Sequence, residues 1–333
     1  MRRPGPLSRR DLLKRGAVGV AGLAVGSKAV AAAEKATAPG PHDPGSTGTV
    51  GSVSNGPIDP LIFLESFDYG EVSRRFDGKT VREYEIYTVD REIEIAPGVF
   101  YPAWTFNGQV PGPTLRATAG DLVRVNFRNL GNHPHTIHFH GNHPANMDGV
   151  FELIEPGQSY LYEFEASPFG VHLYHCHVMP LKKHMGKGLY GTFIIDPPTP
   201  RPPAREMVMV MNSFDTNFDG ENEIYSANTI AFAYKSNPIP VRKGELQRVY
   251  LINTTEFDPV NSFHLHGNMF HVYKTGTTLT PHEFTDTIMM CQGERHILEF
   301  TYNDPGRYMF HAHQAEFAEL GWMGVFDVRE AIA

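Results

Sequence analysis

Cysteine is nearly absent: there are two, Cys176 and Cys291, in 333 residues. At most one disulfide can form, so no disulfide framework carries this fold. Positive charge is also short. Twenty-nine Lys and Arg face 37 Asp and Glu, a formal net charge of −8. That argues against a nucleic-acid partner, which needs a basic face. No apolar run is long enough for a membrane span; the mildly apolar stretch Gly16 to Gly26 falls well short of about 20 residues. Long amphipathic helices are missing as well. What the chain has in quantity is turn-formers, 32 Gly and 26 Pro, which suit an all-β protein. Its length accommodates two domains of ordinary size.

Residues 1–33 hold seven of the Lys and Arg and one Asp, so the remainder is more acidic, about −14. Ser8-Arg9-Arg10-Asp11-Leu12-Leu13-Lys14 resembles the twin-arginine export signal of bacteria, and small residues around Ala29 to Ala33 offer a cleavage site. A basic disordered tail is the alternative. The resemblance implies export of a folded chain to the periplasm or the cell exterior. Residues 34–60, rich in Gly, Pro, Ser and Thr, read as a flexible linker. Short alternating segments then predict strands at 81–87, 122–127, 159–164 and 189–195. Pro197-Pro198-Thr199-Pro200-Arg201-Pro202-Pro203 cannot join a sheet ladder and predicts a stiff connector between domains at 61–199 and 204–333.

The second half repeats the first. Gly120-Asp-Leu-Val-Arg-Val125 answers Gly244-Glu-Leu-Gln-Arg-Val249, and His138-Phe-His140-Gly-Asn142 answers His264-Leu-His266-Gly-Asn268. Gly170 stands five residues before His175, as Gly306 does before His311. Four His-x-His pairs sit at matched places: His138/His140, His175/His177, His264/His266 and His311/His313. Side chains alternate across a strand, so each pair presents both imidazoles to one side, about 6.6 Å apart at Cα. Imidazole suits copper, zinc and iron.

Cys176 lies between His175 and His177 and faces the other way, so this strand joins two sites back to back. Its natural partners on the cysteine side are His135 and His184. One thiolate with two imidazoles is the ligand set of a blue copper electron-transfer centre. A disulfide to Cys291 is the alternative; Cys291, with no histidine beside it, reads as a small buried hydrophobe. By spacing, His135, Cys176 and His184 correspond to Asn261, Ala312 and Leu320, so the second domain keeps the His-x-His pairs and loses the thiolate site. The methionine groups Met207/Met209/Met211 and Met289/Met290 read as core strand residues.

His135-Thr-Ile-His-Phe-His-Gly141, His175-Cys-His177, His264-Leu-His-Gly267 and His311-Ala-His313 resemble the four copper motifs of the multicopper oxidases. Asn107-Gly-Gln-Val-Pro-Gly-Pro-Thr-Leu-Arg116 is similar to that family's first-domain opening. The resemblance covers the chain from about Thr80 and implies two cupredoxin domains, each a Greek-key β-sandwich. It is to the two-domain, laccase-like group with blue copper in domain 1 only. It implies about four coppers per chain: type 1 at His135, Cys176 and His184; type 2 at His138 and His264; the type 3 pair at His140, His175, His177, His266, His311 and His313. It further implies a homotrimer, each trinuclear cluster lying between domain 1 of one chain and domain 2 of the next. The usual axial methionine slot holds Leu189, with Met179 and Met185 as rivals.

The expected activity is oxidation of a small reducing substrate, one electron at a time, through the exposed edge of His184, with dioxygen reduced to water. Asp148 is a candidate proton donor, or equally a turn residue before Gly149. His143 and His271 are candidates to support neighbouring ligands; Lys182 and Lys183 read as turn residues near the substrate approach. Two rivals stand. A copper nitrite reductase shares the spacing of Cys176 and His184, but that family resembles His-Cys-Ala at the cysteine and places an Asp where this chain has His138. An exported, non-catalytic copper-binding protein is the other.

Overall fold

The computed structural model describes residues 59–330. The expected leader and all but the last two residues of the expected linker lie outside the described residues. Those two belong to a helix, α1 (Pro60–Glu65): Asp59 caps it, its carboxylate accepting from Leu61 N at 2.9 Å, and Pro60 fills the first turn, where no N–H is needed.

The first half contains β1 (Glu71–Arg74), β2 (Thr80–Ala96), β3 (Val99–Phe106), β4 (Leu115–Thr118), β5 (Leu122–Asn129), β6 (His138–Phe139), β7 (Ser159–Glu165), β8 (Gly170–His175) and β9 (Tyr190–Asp196). One sheet runs β1-β2-β5-β7 with β3 also on β2, and the other β4-β9-β8-β6. Val123, Val125 and Phe127 of β5 and Tyr162 and Phe164 of β7 alternate inward, as the sequence pattern predicts. The second sheet differs: β8 is buried at every residue. It has a core on each face. Tyr174 joins the first half's own core with Phe139 and Phe193, while Val171 and Leu173 pack into a cluster shared with Met207, Met209 and Met211 of the second half. Burial on both faces removes the alternation.

The second half follows with β10 (Arg205–Phe214), β11 (Ile224–Ala227), β12 (Ile239–Arg242), β13 (Gln247–Asn253), β14 (Val260–Leu265), β15 (Phe270–Lys274), β16 (Glu283–Thr285), β17 (Thr287–Cys291), β18 (Arg295–Phe300), β19 (Gly306–His311) and β20 (Met323–Arg329). Its sheets run β11-β10-β13-β18-β15-β16 and β12-β20-β19-β14-β17. Helices are single turns of four to six residues, among them α2 (Leu181–Gly186), α3 (Ala233–Ser236) and α4 (Ala315–Glu319). Among the described residues, no helix is long and apolar enough to cross a membrane.

The halves are joined by charge as well as apolar packing. Arg116 of β4 holds Asp196 at 2.8 and 2.9 Å and Glu206 of β10 at 2.6 Å. Arg248 reaches the same Glu206 at 3.0 Å and Glu299 at 2.6 Å. Burial alone would push the Glu206 carboxyl up; hydrogen bonds from Arg116, Tyr250 and Arg248 outweigh it and hold the group below its ordinary range. The segment 60–67, although ahead of the first sandwich in sequence, leans on the second: Leu64 is fully buried in the shared cluster, Phe67 meets Tyr250 edge-on, and Glu65 pairs with Arg205 at 2.5 Å.

Candidate metal centres

The end of β8 and the helix α2 build the first centre. Cys176 follows the last residue of β8, and its N–H donates to Leu189 O at 3.0 Å. His184 sits in the last turn of α2. His135 is fixed by a two-bond bridge to Ile154, 3.1 and 3.2 Å. These three elements bring Cys176 Sγ to 3.2 Å from His184 Nδ1 and 3.7 Å from His135 Nδ1, with the two Nδ1 atoms 3.3 Å apart. All three side chains are buried. Such a set of lone-pair donors facing one point suits a cation, and a thiolate with two imidazoles suits copper.

Burial, with help from neighbouring His184 and His133, lowers the His135 pKa to about 3; burial, with His133 and Lys183, lowers that of His184 to about 4. Both rings are therefore neutral and ready to bind at neutral pH. Burial also pushes the Cys176 thiol up to about 11. A metal must displace that proton to bind. Between pH 6 and 8 the apparent affinity of this centre for cupric ion should rise about tenfold per pH unit, because one proton leaves per metal bound. Competition titration against a chelator, followed by the blue absorption band, measures the slope; a flat profile would mean that Cys176 is not a ligand.

The histidine pairs form two tetrads, one in each half. In the first, β6 and β8 pair with His138 directly opposite His175; in the second, β14 and β19 pair with His264 opposite His311. The repeat read from sequence is thus a repeat of strand register. His140 Nε2 and His175 Nε2 approach to 3.2 Å, and His266 Nε2 and His311 Nε2 to 2.9 Å. The Nδ1 atoms of four rings are held by backbone oxygens: His138 by Asp148 O, His175 by Cys176 O, His264 by Asp286 O and His311 by Ala312 O. This fixes the tautomer and leaves each Nε2 for a metal. His177 and His313 complete the tetrads through ring contacts to His138 and His264 at 5.5 and 5.3 Å. The first tetrad is half-buried or buried; in the second, His266 and His313 are exposed. No described ring contact or ligand cluster mixes histidines of the two tetrads.

Asp148 lies beside the first tetrad, its Oδ1 at 3.2 Å from His138 Nδ1 and 3.7 Å from His143 Nε2. His143 is therefore near a ligand; His271 meets the Phe284 ring at 4.6 Å, and Phe284 lines the same pocket as His264 and His266. Leu189 is wholly buried in the same apolar cluster as Cys176. Met179 is 76 % exposed, and Met185 packs into the cluster shared with the second half.

Four expectations need correction. Cys291 is exposed, not buried: it falls on the outer face of β17, and no disulfide joins it to Cys176. Met289, two residues earlier on the same face, is 71 % exposed. The counterpart of His184 is Phe317 rather than Leu320. Leu189 N bonds to His184 O as Trp322 N bonds to Phe317 O, and Cys176 N bonds to Leu189 O as Ala312 N bonds to Trp322 O. The second loop is three residues shorter, which equal spacing from the strand could not reveal. Finally, the His184 edge is almost wholly covered, 4 % accessible behind Trp104, rather than openly exposed. Trp104 and His133 were not legible as site residues, because neither carries a spacing signal.

Comparison with known proteins points to a family of copper proteins. Two multicopper oxidase family models match, one over residues 89–200 and the other over 200–331. A crystal structure of a multicopper oxidase is 55 % identical, covers 81 % of this chain and 97 % of its own, and superposes with a TM-score of 0.80. The blue copper oxidase of Nitrosomonas europaea is 30 % identical over 74 % of this chain and 86 % of its own, with a TM-score of 0.66. The copper-containing nitrite reductase of Neisseria meningitidis is 30 % identical over 68 % of this chain; the match spans 64 % of that relative's length, less than two thirds. With two cupredoxin-like β-sandwiches and these ligand clusters, the chain belongs to the multicopper oxidases.

Proposed function

We propose that the chain is a laccase-like oxidase, taking single electrons from a small reduced substrate and reducing dioxygen to water. The observation that carries this reading is the pair of histidine tetrads, eight imidazoles beyond the Cys176 centre, with Nε2 atoms turned toward one another. A single mononuclear acceptor site has no use for eight donors. Copper, when bound, supplies the redox chemistry: type 1 at His135, Cys176 and His184, type 2 at His138 and His264, and type 3 at the other six histidines. The chain's own part is placement. Cys176 is bonded through the backbone to His175 and His177, so the thiolate site and the first tetrad are one residue apart along a strand. Asp148 meets the Nδ1 edge of His138 and so orients that ring; proton delivery through Asp148 belongs to the same proposal.

Each tetrad is half of a site. A second copy, in a homotrimer, would bring the second tetrad of one chain onto the first tetrad of the next. The leader expected at 1–33 would place the enzyme outside the cytoplasm. Nitrite reduction is the second reading, favoured by the similarity to the Neisseria protein. Copper analysis of the loaded protein, with dioxygen and nitrite consumption measured in parallel on one reduced donor, separates the two. About four coppers per chain with dioxygen uptake is the expected result. About two coppers with nitrite turnover would replace the oxidase reading.

A further inference from the structure

A cleft of about 1150 Å³ opens where the halves meet near α2. Its walls include Tyr101, Trp104, His133 and Lys183 from the first half and Phe218 and Phe257 from the second. None of His135, Cys176 or His184 lines it. Trp104 stands between: its ring meets His184 at 4.8 Å and His135 at 5.4 Å, both edge-on, while His133 covers it at 4.6 Å. The Lys183 ammonium lies 5.1 Å from the centre of the same ring. A donor in the cleft therefore meets the indole before either imidazole.

We propose that Trp104 carries electrons from a donor bound in this cleft to the Cys176 centre. The proposal rests on the oxidase reading. In each event the donor loses one electron and releases its proton to the water of the cleft; the electron passes through the indole, which is not itself oxidised, to the centre held by His135, Cys176 and His184, and dioxygen is the final oxidant. The indole suits the task because it is aromatic, packed against both imidazoles and held rigid. Trp104 belongs to β3, pairs with Asp90 of β2, and donates its backbone N–H to Lys187 O at 2.9 Å. Trp104 is itself buried, 7 % accessible against 4 % for His184 and 0 % for His135, but it lines the cleft and the imidazoles do not.

The test uses hydroquinone. The only other tryptophan, Trp322, is fully buried in the second half, so quenching by a ligand in the cleft reports on Trp104. In copper-free protein, hydroquinone should quench roughly the Trp104 share of the fluorescence saturably; quenching that is only linear would mean that the cleft holds no donor, and would overturn the proposal. In copper-loaded protein without oxygen, Trp104→Phe keeps a ring over His184 and removes the indole. Bleaching of the blue band by hydroquinone should slow about tenfold or more, with band position and copper content unchanged, as loss of a placed group in an assembled site does. A wild-type rate in Trp104→Phe, or a faster one in Trp104→Ala, where the imidazole would be uncovered, shows that Trp104 is only a cover and sinks the proposal. Failure of the oxidase reading is seen separately, as wild-type protein that consumes no dioxygen.

Discussion

Cys176→Ser abolishes the blue absorption band and lowers donor-driven dioxygen consumption by about three orders of magnitude, while the histidine tetrads still fill. The size follows from the position of one atom. Sγ is the sole thiolate among the ligands of its centre, at 3.2 and 3.7 Å from the two Nδ1 atoms. A serine hydroxyl is a hard, protonated donor that does not replace a soft thiolate for copper. Losing a group on which a whole sequence of steps depends costs as much as losing the centre. The fold should survive, because the Cys176 N–H bond to Leu189 O is independent of the side chain. A buried hydroxyl in place of the thiol costs about 1–3 kcal/mol, small beside the shared core. Metal analysis should find about one copper fewer per chain. If the variant consumes dioxygen at the wild-type rate, electrons reach the tetrads without Cys176, and the proposed route is wrong.

Much of this arrangement was legible in the chain itself, for a reason that individual residues make plain. The period of a strand is two, so His138/His140 and His175/His177 had to share faces, and Cys176 had to turn away from both. The repeat then doubled every signal, and it reappears as the matched pairs His138 opposite His175 and His264 opposite His311. What stayed hidden depends on loops and on contacts far apart in sequence. Equal counting from Cys176 and Ala312 chose Leu320, because nothing in the sequence shows that the second loop is shorter. Met289 and Cys291 fall on the outer face of β17 while Met290 faces the core, and an isolated apolar triplet does not say which face is which. Trp104 is drawn over His184 by the pairing of β2 with β3, and the segment 60–67 turns onto the second half through Leu64 and Phe67. Neither placement leaves a periodic trace.

The second large effect is one that no single variant can give. His140→Ala breaks the first tetrad and His266→Ala breaks the second, each by removing an Nε2 that faces a neighbour's Nε2. Neither ring is deeply buried, so both chains should fold. Each variant alone should lose dioxygen consumption by about two orders of magnitude or more. If each active cluster takes its first tetrad from one chain and its second from the next, coexpression in equal amounts restores activity. An intact first tetrad then comes from the His266→Ala chain half of the time, and an intact second tetrad from the His140→Ala chain half of the time. About one cluster in four is whole, and about a quarter of wild-type activity should return. A cluster closed within one chain gives no recovery at any ratio, since every chain then carries one broken tetrad. Dioxygen consumption by the coexpressed mixture, set against each variant purified alone, therefore decides whether the two tetrads of one chain ever serve the same oxygen.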